Sequence, residues 1–102
     1  MANLALEWEN HVVQMVGQAL LGLVSPEMRG VAVEIDGETV TVHFASTQLD
    51  DERQEDIDEV VAEVEGYLWP DTQDVRSRTF CGSSGPGWAG RQHRLVYLAK
   101  VA

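Results

Sequence analysis

Two runs of alternating apolar and polar side chains flank the dipeptide Asp36-Gly37, and they constrain the fold more than any other stretch. The apolar positions are Val31, Val33, Ile35, Val40, Val42 and Phe44. An Asp-Gly pair between two such runs is the strongest short-range signal of a two-residue β-hairpin. The opposite face carries Glu, Thr and His side chains, which is typical of an antiparallel sheet with one solvent-exposed face. Residues 31–44 therefore predict a hairpin with an apolar layer on one side.

Two longer stretches have the spacing of amphipathic helices, and they can supply that apolar layer. Within residues 4–24 the apolar stripe is Trp8, Val12, Met15, Val16, Ala19, Leu20 and Leu23. Within residues 50–69 it is Ile57, Val60, Val61, Val64 and Leu68. Both sets recur at intervals of three and four residues, so each lies on one helical face. Ser25-Pro26 and Trp69-Pro70 end the helices, because the residue before a proline avoids the helical region.

Two further strands complete the chain. Residues 74–81 and 92–100 alternate and predict the third and fourth strands, and the Gly- and Ser-rich residues 82–90 form a loop between them. One four-stranded antiparallel sheet, with both helices on its apolar face, buries every stripe in the order α-β-β-α-β-β. We therefore predict a two-layer α+β sandwich in one domain, residues 1–102. Its helices lie near 4–24 and 50–68, and its strands near 31–35, 39–45, 74–80 and 92–99.

The same patterns predict a core that needs no covalent support. We expect these side chains to be mostly buried: Val12, Val16, Leu20, Val33, Val42, Phe44, Ile57, Val61, Val64 and Tyr97. A chain of 102 residues can bury such a core without a metal or a disulfide. Cys81 is the single cysteine, so the sequence predicts no intramolecular disulfide.

The net charge of −10 argues against binding to nucleic acid or to anionic membranes. The first residues have neither a signal-peptide pattern nor a membrane-spanning run, so we expect a cytoplasmic protein. The charge is unevenly distributed. Residues 1–74 hold all 17 acids and two bases, whereas residues 75–102 hold five bases and no acid. Two explanations stay open, which are ion pairing across the fold and two surfaces of opposite sign.

The outer face of the second predicted helix is crowded with carboxylates and contains no lysine. Its acids are Asp51, Glu52, Glu55, Asp56, Asp58, Glu59, Glu63 and Glu65. Like charges four residues apart, as in Glu55–Glu59 and Glu59–Glu63, destabilise a helix by a few tenths of a kcal/mol per pair. Ser46 and Thr47 precede this helix and can cap it. The acidic face either keeps the protein soluble or meets a cationic partner.

We predict a partner-binding surface rather than a catalytic site. The predicted contact residues are Asp51, Glu52, Glu55, Asp56, Glu59, Glu63 and Trp88. Trp88 lies in the glycine-rich loop, where its ring either folds back over the sheet or contacts a partner. That loop lacks the Gly-Lys-Ser/Thr ending of a phosphate-binding loop. The exposed carboxylates lack the distinct environments that catalytic acids need, so we predict no catalytic residue.

No metal site or cofactor is predicted. His11, His43 and His93 are scattered over a helix and two strands without an HxH or HExxH spacing. Cys81 has no CxxC partner, and a lone buried thiol is the commoner state of such a cysteine.

The chain resembles the small acidic immunity proteins that bacteria pair with secreted or contact-delivered toxins. The resemblance is carried by Leu4-Ala5-Leu6-Glu7-Trp8-Glu9, Leu23-Val24-Ser25-Pro26, Glu55-Asp56-Ile57-Asp58-Glu59 and Arg94-Leu95-Val96-Tyr97, within a short α+β layout. It implies binding without catalysis to a basic surface of a cognate toxin, often a nuclease, with the acidic helix in place of the nucleic-acid backbone. The last two predicted strands contain arginines, so the whole surface does not mimic an acidic nucleic-acid backbone.

Two other functions fit the same features. An acidic chaperone for a secreted effector is also a small α+β protein, but it binds through apolar grooves, so its binding persists at high salt. A small homodimeric α+β ligand-binding protein or enzyme, with a pocket between the sheet and the helices, is the other alternative. A homodimer is compatible with any of these functions.

Overall fold

The computed structural model describes residues 4–72 and 74–99, and its elements follow the predicted order. They are α1 (Leu4–Leu20), β1 (Met28–Asp36), β2 (Thr39–Ser46), α2 (Asp51–Leu68), β3 (Asp74–Cys81), a short 3₁₀ helix (Ala89–Gln92) and β4 (Arg94–Leu98). The first helix ends at Leu20, before the predicted position 24. Gly22 then adopts a left-handed conformation with φ of 82°, which glycine accommodates without steric cost and which terminates the helix.

The sheet is mixed, with strand order β3-β2-β1-β4. β1 pairs antiparallel with β2 and with β4, as predicted. The prediction of a fully antiparallel sheet is wrong for β3, which runs parallel to β2 from the pair Thr39–Asp74 to the pair Ser46–Cys81. The reason is α2, whose 18 residues span about 27 Å, close to the length of an eight-residue strand. The helix returns the chain to the level where β2 begins, so β3 repeats its direction.

Both helices pack against one face of this sheet, as predicted. The core contains apolar side chains from both helices and from the strands. The predicted core residues that are buried are Val12, Val16, Leu20, Val33, Val42, Phe44, Ile57 and Val64. Val61 and Tyr97 are half-buried at the edge of this core. On α2 the buried stripe is Ile57, Val60, Val64 and Leu68, so Val61 turns partly toward solvent.

The helix-free face of the sheet carries a second, smaller apolar cluster. Trp88 packs there with Ala32, Ala45 and Leu95, and only 2% of its surface is exposed. The indole ring lies so close over Gly30 that a β-carbon on this glycine would come within 2.8 Å of it. The loop before β4 therefore folds back onto the sheet. In the described part of the chain, neither α-helix is long and apolar enough to cross a bilayer.

Candidate functional site

The acidic face predicted on the second helix is present on α2. Asp51, Glu52, Glu55, Glu59 and Glu63 are exposed. Asp56 is half-buried because its carboxylate turns toward Arg53. These side chains lie opposite the buried stripe, so the helix presents carboxylates to solvent along most of its length.

The start of α2 is organised by Asp50 and Arg53. Asp50 caps the helix by accepting a hydrogen bond from the backbone N–H of Arg53 at 2.9 Å, so the predicted capping by Ser46 or Thr47 is wrong. The Ser46 hydroxyl instead donates to the carbonyl of Gln48 at 2.7 Å. β2 ends at Ser46 and α2 begins at Asp51, so the residues between them form the connection and Asp50 is the residue next to the helix.

Arg53 neutralises part of the first two turns. Its guanidinium lies 2.7 Å from Glu52, 3.2 Å from Glu27 and 3.6 Å from Asp56. Only 12% of the Arg53 side chain is exposed, so these ion pairs are partly shielded from water. This role of Arg53 was not predicted from the sequence, although Asp50 and Asp56 each lie three residues from it, a spacing at which side chains on a helix meet. The carboxylates in the central part of the helix, beyond the reach of Arg53, are therefore not neutralised by it.

Glu55, Glu59 and Glu63 form that central part, which we call the carboxylate row. They are exposed, are spaced four residues apart, and have no ion pair with any other residue that the structure describes. Coulomb repulsion between them is unfavourable in the free protein. A cation bound against the row relieves that repulsion.

The C-terminal arginines do not compensate the carboxylate row. Arg76 binds Asp74 through two contacts of 2.9 Å, and its guanidinium lowers the pKa of Asp74 below its ordinary value. Arg94 lies 3.7 Å from Glu9 of α1. Neither Arg76 nor Arg94 forms an ion pair with a carboxylate of α2. The uneven charge of the sequence therefore leaves a separate negative surface on α2.

Trp88 does not belong to this surface. Its ring is buried against the helix-free face of the sheet, whereas the carboxylate row lies on the outside of the helical layer. Of the two alternatives for this residue, the structure has the ring folded back. In this conformation the Trp88 ring is not accessible to a partner, because the small residues Gly30, Ala32 and Ala45 provide a recess for the indole ring.

A second polar cluster lies on the helix-free face, where the sequence predicted no site. The Nε2 atom of His43 lies 2.8 Å from Oε1 of Glu34, and Nε2 of His93 lies 3.4 Å from the same oxygen. The two imidazole rings stack with centroids 5.0 Å apart and planes inclined by 18°. The hydrogen bond with His43, together with the nearby charges of His93 and Arg78, lowers the pKa of Glu34.

An open groove of about 630 Å³ leads to this cluster. Glu34 and His93 line it together with Glu9, Asp36 and Arg94. His43 is buried beside them, with 3% of its side chain exposed. The sequence did not reveal this arrangement, because Glu34, His43 and His93 are brought together by strand pairing and not by a spacing along the chain.

Comparison with known proteins supports the resemblance to immunity proteins. A family model described as MafI2 immunity protein matches residues 9–82, and no curated protein matches the chain. The matched region contains β1, β2, α2 and β3, and therefore the whole carboxylate row. The match ends at residue 82, before the segment 83–88 that carries Trp88 (the Trp88 loop), and before His93 and β4. Because the match covers well over half of the sequence, the chain belongs to the MafI2 immunity protein family.

Proposed function

We propose that this protein neutralises a cognate toxin in the cytoplasm by binding a basic surface of the toxin with the acidic face of α2. The contact residues are Asp51, Glu52, Glu55, Asp56, Glu59 and Glu63. The observation that carries the proposal is the carboxylate row, which is exposed and lacks a cationic partner among the described residues. It lies within the part of the chain that matches the immunity family.

The carboxylate row favours association with a basic protein in two ways. Exposed charges of one sign raise a potential that steers a cationic partner and increases the association rate at low salt. The partner also removes the repulsion between carboxylates four residues apart. Both effects weaken as salt screens the charges. Binding without chemistry is sufficient for neutralisation, so the proposal needs no catalytic residue.

The proposal is tested with a triple variant, Glu55→Gln, Glu59→Gln and Glu63→Gln, and the toxin encoded by the adjacent reading frame. We expect the association rate at low ionic strength to fall at least about tenfold. The rate for the unsubstituted protein should fall steeply as salt is added. The free triple variant should be equally stable or gain a few tenths of a kcal/mol per removed pair, measured by urea denaturation.

A charge-matched control separates the position of the charge from its amount. Glu7→Gln, Glu38→Gln and Asp71→Asn also remove three exposed carboxylates, but none of them lies on α2. This control should reduce the association rate much less than the row variant does. Equal rates for the row variant and the unsubstituted protein would show that the charge serves solubility only.

The alternative functions predict different outcomes in the same experiment. A chaperone that binds through an apolar groove keeps its affinity at high salt and with the row variant. A ligand-binding homodimer shows a dimeric mass by light scattering and no adjacent toxin partner. If the adjacent frame encodes no toxin, a pull-down from the native host with both variants as baits identifies a partner whose capture depends on the row.

A further inference from the structure

We propose that Glu34, His43 and His93 form a binding site for a divalent transition-metal ion of the zinc class. The site is separate from the carboxylate row, because it lies on the helix-free face of the sheet. It is also independent of the proposed toxin binding.

Three elements of the fold converge at this point. Glu34 lies on β1 and His43 on β2, where the pairs Glu34–Thr41 and Ala32–His43 place both side chains on the same face. His93 directly precedes β4, and its backbone N–H donates to the carbonyl of Gly90 at 3.0 Å. Strand pairing and the 3₁₀ helix therefore hold all three side chains, and no loop rearrangement is needed to assemble the site.

The distances suit a metal ion. One ligand atom from each of the three residues lies within 4.8 Å of the others. Tetrahedral zinc with ligands at about 2.0–2.2 Å requires ligand atoms about 3.2–3.6 Å apart. The separation of 3.4 Å between His93 Nε2 and Glu34 Oε1 already satisfies this, and 2.8 Å between His43 Nε2 and Glu34 Oε1 requires an outward shift of about 0.5 Å. Rotation of the half-exposed Glu34 side chain supplies that shift, and the stacked imidazole rings must also tilt so that both Nε2 lone pairs point at one ion.

The ligand chemistry selects the class of ion. Two imidazoles and one carboxylate are a zinc ligand set that leaves a fourth position for water. Imidazole also suits copper and nickel, whereas magnesium and calcium prefer oxygen ligands. The groove described above is open to solvent at Glu34 and His93, which are 39% and 31% exposed. An ion can therefore enter from the groove, with the buried His43 as its innermost ligand.

Nearby charges act in both directions on such an ion. Arg78 of β3 opposes it, since its charge already acts on Glu34. Asp36, which lines the groove with Glu34 and His93, favours it. A bound ion links His93, which lies outside the family match, to the hairpin within it. Binding should therefore tie the segment after the Trp88 loop to the sheet.

The site is tested by titrating Zn²⁺ into the protein by calorimetry and by recording the visible absorption of bound Co²⁺. Both measurements use a Cys81→Ser background, because Cys81 is exposed and a cysteine thiolate is itself a zinc ligand that would compete with the proposed site. We expect one ion per chain. In this background His93→Gln and Glu34→Gln should each weaken the Zn²⁺ affinity at least tenfold. His11→Gln is the matched control, since it removes an exposed imidazole from α1 and should leave the affinity unchanged.

An NMR measurement does not depend on how the ligand-site variants fold. In the Cys81→Ser protein, Co²⁺ should shift the imidazole NMR signals of His43 and His93 and leave those of His11 in place. Zn²⁺ should raise the melting temperature of this protein and not that of the His93→Gln variant. The proposal is overturned if no stoichiometric ion binds, if His11→Gln weakens binding as much as His93→Gln does, or if Co²⁺ shifts His11 alone.

Discussion

The two faces of the sheet differ in how their contacts are made. The helix-covered face is apolar, and branched and aromatic side chains from β1 and β2 pack there against α1 and α2. The helix-free face has a small recess around Trp88, and beside it the polar group Glu34, His43 and His93. The first face is a continuous core. The second is a set of separate contacts between segments that are distant in sequence.

This difference assigns different roles to the two faces. Burial of a continuous apolar layer supplies most of the folding free energy, and its contacts are mutually replaceable as long as volume is kept. The contacts on the helix-free face each depend on one geometry, such as the close approach of Trp88 to Gly30 or two imidazoles around one carboxylate. Substitutions there should therefore have smaller effects on stability but sharper dependence on the side chain introduced.

The largest expected effect belongs to the helix-covered face. Phe44→Ala removes a fully buried ring from β2 and should lower the free energy of unfolding by about 3–5 kcal/mol, measured by urea denaturation. Thr41→Ala, three residues earlier on the helix-free face, should cost less than about 1 kcal/mol. Similar costs for the two variants would contradict the division between a core face and a peripheral face.

The Trp88 recess should show the intermediate effect. Gly30→Ala would place a β-carbon 2.8 Å from both Ser84 Cβ and Trp88 Cζ3. The ring or the strand must move, so we expect a loss of about 1–3 kcal/mol in the free energy of unfolding. The fluorescence of Trp88 should shift to the red if the ring leaves the recess. Both proteins in this comparison carry Trp8→Phe and Trp69→Phe, so that Trp88 is the one remaining tryptophan.

Gly17→Ala is the matched control for that substitution. Gly17 lies inside α1, and apart from the adjoining backbone of the helix no described atom lies within 4 Å of the position that its β-carbon would occupy. The variant should therefore gain up to about 1 kcal/mol from the helical preference of alanine. If Gly30→Ala is as stable as Gly17→Ala, the Trp88 ring does not pack closely against Gly30, and the prediction fails.

The sequence predicted the helix-covered face because its signal is local. The stripes of α1 and α2 and the alternation of the hairpin repeat every few residues, so each element shows its buried side by itself. For this reason the element order, the hairpin and most core residues are confirmed, although the two-residue turn lies at Gly37-Glu38, one position after the predicted Asp36-Gly37, because Asp36 still pairs with Thr39. The direction of β3 could also have been predicted. An 18-residue helix between two strands is typical of the crossover connection that joins parallel strands.

The helix-free face could not be predicted in the same way. His43 and His93 are 50 positions apart, and only the pairing of β1 with both β2 and β4 places them around Glu34. Trp88 is likewise buried by Gly30 and by two alanines whose small size has no periodic signature. The acidic residues of α2 were predicted individually, but the partial neutralisation by Arg53 depends on Glu27, which precedes β1.

The smallest expected effect is electrostatic, and it lies at the start of β3, where Asp74 pairs with Thr39 on the helix-free face. Asp74 accepts hydrogen bonds from Arg76 and, at 3.0 Å, from the Thr39 hydroxyl, and it thereby joins β3 to β2. The Arg76 hydrogen bond is the main cause that lowers the pKa of Asp74 from its ordinary value of 3.8, and the Thr39 bond adds to it. A carboxyl group whose pKa is lower in the folded state stabilises the fold above its unfolded pKa.

Asp74→Asn should therefore destabilise the protein at pH 7, and the difference from the unsubstituted protein should shrink as the pH falls below about 4. The measurement is urea denaturation at several pH values between 3 and 7. Asp71→Asn is the matched control, because Asp71 is exposed and its carboxylate has no ion pair with another described residue. A penalty for Asp74→Asn that stays constant down to pH 3 would show that the aspartate acts through shape and not through charge. In that case the polar contacts beside β3 would resemble the core face in their independence of pH.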